Sequence, residues 1–277
     1  ISWFEDRWLP FLGGNGSFDW DGLAFLEDTF KDNPEPEHNW SFHYFIIRDN
    51  LGKPIIASFF TVALCKDDIF SPPSVSEAIE KERKLNPYYL CSKVLMMGSL
   101  LTEGQHIFID KTGGHWQDAI LLLLEQLSII QEKAGASIIN LRDLENDPEL
   151  HNLLLSEGYV KIDLPEANVI YKDKLQWNSI ENYIAQLSPK SRSHIRRDAI
   201  RYEQFYDIEI VKNVSDEEMD YWYELYKNVE SRTLTLNTFL LPKKVFGKML
   251  EHPKWEIVKL TLKKEYDDRK KRFPVAV

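Results

Sequence analysis

The chain has 277 residues, 43% of them hydrophobic and 13% aromatic, and a formal net charge of −10. It is long enough for two domains with substantial apolar cores, and its acidity argues against general binding to nucleic acid or membrane surfaces, which needs a broad positive field. Its two cysteines, Cys65 and Cys91, offer neither a disulfide framework nor metal-ligand spacing, so a reducing cytoplasm is the expected compartment. The longest apolar run, Ala119 to Leu124, is far short of the roughly 20 residues that cross a bilayer. The chain opens on Ile1 and closes on the strand-like Phe273 to Val277, and both ends read as cuts in a longer polypeptide.

In chain order, Phe42 to Arg48 and Pro54 to Leu64 are strand-like and are joined by Asp49-Asn50-Leu51-Gly52-Lys53, whose Asn and Gly suit a tight turn. A polar excursion, Cys65 to Tyr89, carries a short helix at Ser76 to Lys84. Apolar content returns in Val94 to Leu101 and in His106 to Asp110. Then come Lys111-Thr112-Gly113-Gly114-His115 and an apolar helix, Trp116 to Ala134, with Gly135 as its C-cap. The pattern next predicts a strand at Ser137 to Leu141, a helix at Pro148 to Glu157 ended by Gly158, and strands at Tyr159 to Lys161 and Ala167 to Tyr171.

A second unit begins near Lys174. It holds helices at Ser179 to Leu187, Ser188 onward, Asp216 to about Arg232 and Pro242 to Leu250, with strands at Ile208 to Val211, Trp255 to Lys263 and Phe273 to Val277. Its most informative stretch, Leu187 to Arg201, packs Lys190, Arg192, Arg196, Arg197 and Arg201 into one helix start of an acidic protein. Ser188 is the N-cap and Pro189 the first helical residue. At about 100° per residue, Ile195, Ala199, Tyr202 and Tyr206 share the face expected to be buried. Lys190, His194, Arg197 and Arg201 fall opposite, and Arg192 and Arg196 sit on a flank as a fork for phosphate or carboxylate. The alternative is a solvated face with ordinary salt bridges.

The succession from residue 42, three strands, helix, strand, helix and two strands, is similar to the GNAT acyltransferase fold, and this resemblance covers about residues 1 to 172. Leu187-Ser188-Pro189-Lys190-Ser191-Arg192-Ser193-His194-Ile195-Arg196-Arg197, followed by a strand, resembles the opening of the second domain of Fem-type acyltransferases. Together these imply an α/β (α+β) chain of tandem GNAT-like domains, 1–172 and 173–277, with mixed central sheets flanked by helices and a second copy that stops short.

The resemblance implies transfer of an acyl or aminoacyl group, from acetyl-CoA or another acyl-CoA or from aminoacyl-tRNA, to a small-molecule or peptide amine, without a metal. It places the CoA-binding loop at Lys111, Gly113 and Gly114, where the sequence departs from the family's arginine or glutamine followed by glycine-x-glycine; a plain turn capping a helix is the other reading. Glu103, His106 and His115 are the candidates for the cleft's general base and substrate contacts. Lys190, Arg192, Arg196 and Arg197 are the candidates for anion binding, and Glu230-Ser231-Arg232 falls where Fem-like domains contact the acceptor, which adds Arg232. Two further readings stand beside the enzyme: a non-catalytic recognition module within a larger protein, joined to a domain beyond Val277, and an RNA-contacting domain, against which the net charge counts.

Overall fold

A computed structural model describes residues 19–163, 177–230, 236–266 and 274–277. The chain forms two compact units. The first comprises Ile1–Val160 with Tyr226–His252, the second Lys161–Leu225 with Pro253–Val277. The division expected from sequence, at residues 172/173, assigns 226–252 to the second half; in the structure that stretch belongs to the first unit.

In the first unit, α1 (Trp20–Phe30) starts at Asp19, whose carboxylate accepts the Gly22 N–H. It is followed by β1 (Ser41–Arg48), β2 (Pro54–Lys66), α2 (Pro73–Arg83), β3 (Cys91–Met97), β4 (Ile107–Ile109), α3 (Trp116–Ala134), β5 (Ile138–Asn140) and α4 (Pro148–Ser156). The sheet runs β1-β2-β3-β5, antiparallel except for the parallel β3–β5 pair, and β4 joins β2. Because β1 occupies one edge of β2, β3 and β4 share the other: Phe60 to Lys66 face β3, and Ile56 to Ser58 face β4. They act as one strand interrupted by an excursion, residues 98–106.

β2 is buried on both sides, which is why it reads as a near-continuous apolar run. Ile56, Phe60 and Val62 meet α3 through Ile120, Leu123, Leu124 and Leu127. On the other side Phe25, Leu26 and Phe30 of α1 pack with Ala63, Cys65, Val94 and Met96. Val245 of a later helix, Lys244–Glu251, completes that layer and ties 226–252 to the first unit. Each of these large apolar side chains stabilises the fold by about 1.5–3 kcal/mol on burial.

The helix boundaries at Trp116 and Ala134 match the sequence reading, and Gly135 caps α3 at φ +65°. Two expectations fail. The strand predicted over Val94 to Leu101 ends at Met97, because the chain turns at Gly98 with φ +76°. Tyr159 to Lys161 form no strand. The strand expected at Ala167 to Tyr171 lies outside the described residues.

The second unit holds α5 (Ile180–Gln186) and α6, which runs Pro189–Ile195, passes through a π turn at Arg196–Ile200 and closes with Arg201–Glu203. Then come β6 (Tyr206–Val211) and α7 (Asp216–Glu230), within which the boundary between the units falls. After α8 (Lys244–Glu251), which belongs to the first unit, β7 (Ile257–Leu262) and β8 (Pro274–Ala276) complete an antiparallel sheet in the order β6-β7-β8. Val211, Ile257 and Thr261 are buried on one side of it, where Lys259 pairs with Glu209 and with Glu218 of α7. Among the described residues, no helix is long and apolar enough to cross a membrane.

Candidate functional site

α6 begins as its sequence dictates. The Ser188 hydroxyl accepts the Ser191 N–H at 3.2 Å, and Pro189 occupies the first turn, where no backbone N–H is needed. The regular helix then fails: the Arg201 N–H reaches back five residues to the Arg196 carbonyl. Such π turns absorb one extra residue. An open groove along this face is lined by Pro189, Arg192, Ser193, Arg196, Arg197 and Arg201.

The extra residue changes which arginines meet. In an uninterrupted α-helix the nine residues from Arg192 to Arg201 turn about 900°, which puts the two on opposite sides. Absorbing one residue takes back about 100° and brings Arg201 to within roughly a quarter turn of Arg192. The two cationic sets expected from sequence therefore merge, with Arg197 and Arg201 joining Arg192 and Arg196. Lys190 is exposed and does not line the groove. Ala199 and Tyr202, expected on a buried face, are exposed; the π turn rotates Tyr202 by about 100° from the register that Ile195 starts. Tyr206 belongs to β6 rather than to the helix.

The four guanidinium groups are not equivalent. Arg197 donates from Nε and Nη2 to the Asp198 carboxylate at 2.6 and 2.7 Å, and His194 Nδ1 lies 2.6 Å from the same carboxylate. Hydrogen bonding from Arg197 holds the Asp198 carboxyl below its ordinary range. Arg192 donates Nη1 to the Ala185 carbonyl at 3.2 Å, which orients the fork without neutralising it. Among the described residues, no carboxylate forms an ion pair with Arg192, Arg196 or Arg201.

The other sequence candidates lie in the first unit, around the excursion between β3 and β4. Gly98 N–H donates to the Phe59 carbonyl, and Thr61 Oγ1 donates to the Gly98 carbonyl, both at 2.8 Å. Ser58 Oγ donates to the His106 carbonyl at 2.9 Å. The His106 ring is fully buried, with Nε2 2.9 Å from Thr102 Oγ1 and Nδ1 3.5 Å from Asp143. Burial, helped by the nearby Arg142 charge, pushes its pKa down to about 3. The ring has no surface exposure through which a substrate could meet it, and its contact with Thr102 helps hold the excursion in place. Arg142 fastens the same turn by donating to the Ser99 carbonyl at 2.8 Å. Glu103 stands exposed in the excursion. His115 is exposed at the start of α3, 3.8 Å from Asp118.

Two features of the loop before α3 bear on the CoA expectation. A Cβ at Gly113 or Gly114 would meet open space, and the first turn of α3 has no side-chain cap, so the backbone leaves room for a pyrophosphate. The lysine already has carboxylate partners. Lys111 is held by Asp147 at 2.5 Å and Glu149 at 3.3 Å, with its ammonium 4.2 Å from the Trp116 ring centre. Asp110, bound by Lys53 at 2.6 Å and by the Thr112 hydroxyl, stiffens the same loop. Arg232 lies outside the described residues.

One polar cluster had no counterpart in the sequence reading. Asn237 donates to Asp68 at 2.7 Å and to Glu80 at 2.9 Å, and accepts from Lys66 at 3.0 Å. Arg83 pairs with Asp68 at 2.6 Å and with Glu80 at 2.7 Å. Burial alone would raise the Asp68 carboxyl, but hydrogen bonds from Arg83, Asn237 and Ser76 outweigh it and hold the group at about 2. Two cations and two carboxylates balance here, which is the arrangement that makes buried charge tolerable.

No family model matches the sequence, and no curated protein matches it.

Proposed function

We propose that the chain is an N-acyltransferase of the tandem GNAT, Fem-like kind, moving an acyl or aminoacyl group from a thioester or ester donor to an amine. The observation that carries this reading is the order of the first sheet. An antiparallel hairpin and a third strand are followed by α3, which crosses to a parallel β5, and a ligand fits at the carboxyl ends of such a parallel pair.

In the reaction the amine nitrogen attacks the donor carbonyl, the new C–N bond forms, and the C–S or C–O bond breaks. A carboxylate takes the proton from nitrogen, and the departing sulfur or oxygen takes up one from solvent. With His106 buried, Glu103 is the proton acceptor that the candidates leave near the β3–β4 excursion, with His115 as a substrate contact at the start of α3. Backbone N–H groups supply polarisation of the carbonyl oxygen. Arg192 and Arg196 hold a phosphate or carboxylate of donor or acceptor.

The occupied Lys111 favours a second reading, a recognition module whose own donor loop has lost its charge. Incubating the chain with a mixture of amines and either acetyl-CoA or aminoacyl-tRNA separates the two. Amide formation with either donor supports the transferase; its absence with both, together with retained anion binding, supports the module.

A further inference from the structure

We propose that the arginine face of α6 binds a ligand carrying two or more linked phosphates rather than a single carboxylate or phosphate. This deepens the anion-binding role given above and rests on it. The argument begins with the charge count. Arg197 and Asp198 neutralise each other through two hydrogen bonds, leaving Arg192, Arg196 and Arg201 without a carboxylate among the described residues. One carboxylate matches one guanidinium fork, so a monoanion would leave two forks beside it unsatisfied.

Spacing narrows the ligand further. Arg192 and Arg196 are four residues apart, a rise of about 6 Å along the axis, and the π turn carries Arg201 onward by a similar step on the same groove. Three forks in a short row on one helix suit consecutive phosphates of a small molecule. Ser193 also lines the groove. The Ala185 carbonyl fixes Arg192 beforehand, and Asp198 fixes Arg197, so less side-chain freedom is lost on binding. A long polyanion such as RNA fits less well. The row is confined to one helix, exposed Glu203 follows it, and the chain as a whole is acidic.

The π turn supplies a test that leaves the charge unchanged. Deleting Ala199 removes the extra residue, restores an uninterrupted helix and keeps every arginine, and it leaves Arg201 in place: eight α-helical residues turn about 800°, the same quarter turn from Arg192. The probes are inorganic pyrophosphate, orthophosphate and acetate, titrated calorimetrically into the full chain at two salt concentrations. Pyrophosphate is expected to bind at least tenfold more tightly than orthophosphate, and acetate not measurably. Arg196→Gln and Arg201→Gln should each weaken pyrophosphate at least tenfold, whereas the Ala199 deletion, checked by circular dichroism to be folded, should bind it within about threefold of the native chain; a tenfold loss in the folded deletion variant overturns the proposal. ADP and geranyl diphosphate then distinguish a nucleotide-linked from a lipid-linked source by which binds more tightly. Equal binding of pyrophosphate and orthophosphate overturns the proposal. So does pyrophosphate binding that survives both arginine substitutions, or a single-stranded oligonucleotide that binds more than tenfold better than pyrophosphate. Acyl transfer measured on the same proteins keeps the two claims apart: pyrophosphate selectivity without transfer removes only the transferase, and transfer without selectivity removes only this site.

Discussion

Asn237 donates its side-chain amide to Asp68 at 2.7 Å, across 169 residues of sequence and in full burial. The contact fixes one end of the 226–252 stretch to the end of β2, while Val245 fixes the other against α1. Removing the amide leaves Asp68, Glu80 and Lys66 each short of a partner. Asn237→Ala is expected to cost about 1–3 kcal/mol, the usual penalty for buried groups left unsatisfied. Asn237→Asp is expected to cost more, because it adds a third carboxylate beside two. Urea unfolding of the three proteins checks the order, and an aspartate variant as stable as the native chain would contradict it.

Gly98 and His106 close the excursion between β3 and β4 on each other. Gly98 has φ +76°, and a Cβ there would overlap the His106 ring. Gly98→Ala should therefore destabilise the first unit through both strain and overlap, by more than the roughly 1 kcal/mol of an ordinary positive-φ replacement. His106→Ala frees the space. The double variant should lose less stability than the sum of the two single losses, whereas strict additivity would mean that the ring is not the obstacle.

Acid stability follows from the same ring. The folded chain keeps His106 neutral down to about pH 3, while the unfolded chain protonates it near its ordinary value of about 6.5. Between those values the unfolded state binds more protons, so stability rises with pH and falls on acidification, by up to about 1.4 kcal/mol per pH unit from this one group. Asp68, held at about 2, acts in the same direction only below its unfolded value of about 3.9. The window between pH 6.5 and 4.5 therefore reports on His106 together with half-buried His43, whose pKa burial also lowers, and the His106→Gln variant separates the two. Unfolding midpoints for the native chain should drop across it, and His106→Gln should flatten the slope even though its stability is lower throughout. An unchanged slope would place the ring in contact with solvent.

Glu103 and His106 divide the expected chemistry between them. If Glu103 accepts the amine proton, Glu103→Gln lowers kcat by roughly 10²–10⁴-fold with little change in stability, while His106→Gln changes stability first. A pH–rate profile separates the two: loss of its acidic limb in Glu103→Gln alone supports the assignment, and retention of that limb opposes it.

Much of the first unit was legible because its signals are local. Trp116 to Ala134 carries helical spacing and ends on Gly135, and the hairpin is marked by Asn50 and Gly52 between two apolar runs. The π turn was not legible, since it depends on one backbone hydrogen bond from Arg201 to Arg196 rather than on a residue type. Counting at 100° per residue consequently places Arg201 on the opposite side and Tyr202 in the core. Asn237 left no trace either, because its partners on β2 and α2 lie far away in sequence. Asp198, next to Arg197, was within reach of a charge-by-charge reading of the helix. Sequence raised Lys111 as a phosphate ligand, and the carboxylates that occupy it come from the start of α4, beyond the reach of a local motif.

The most direct measurement is the pair of saturation curves, one in donor and one in acceptor, for amide formation by the native chain and by Arg192→Gln/Arg196→Gln. The account predicts transfer by the native chain, and in the variant a rise of at least tenfold in KM for the anion-bearing substrate with kcat in the same range. No amide from either acetyl-CoA or aminoacyl-tRNA, or curves that the two arginine substitutions leave superimposed, would contradict it.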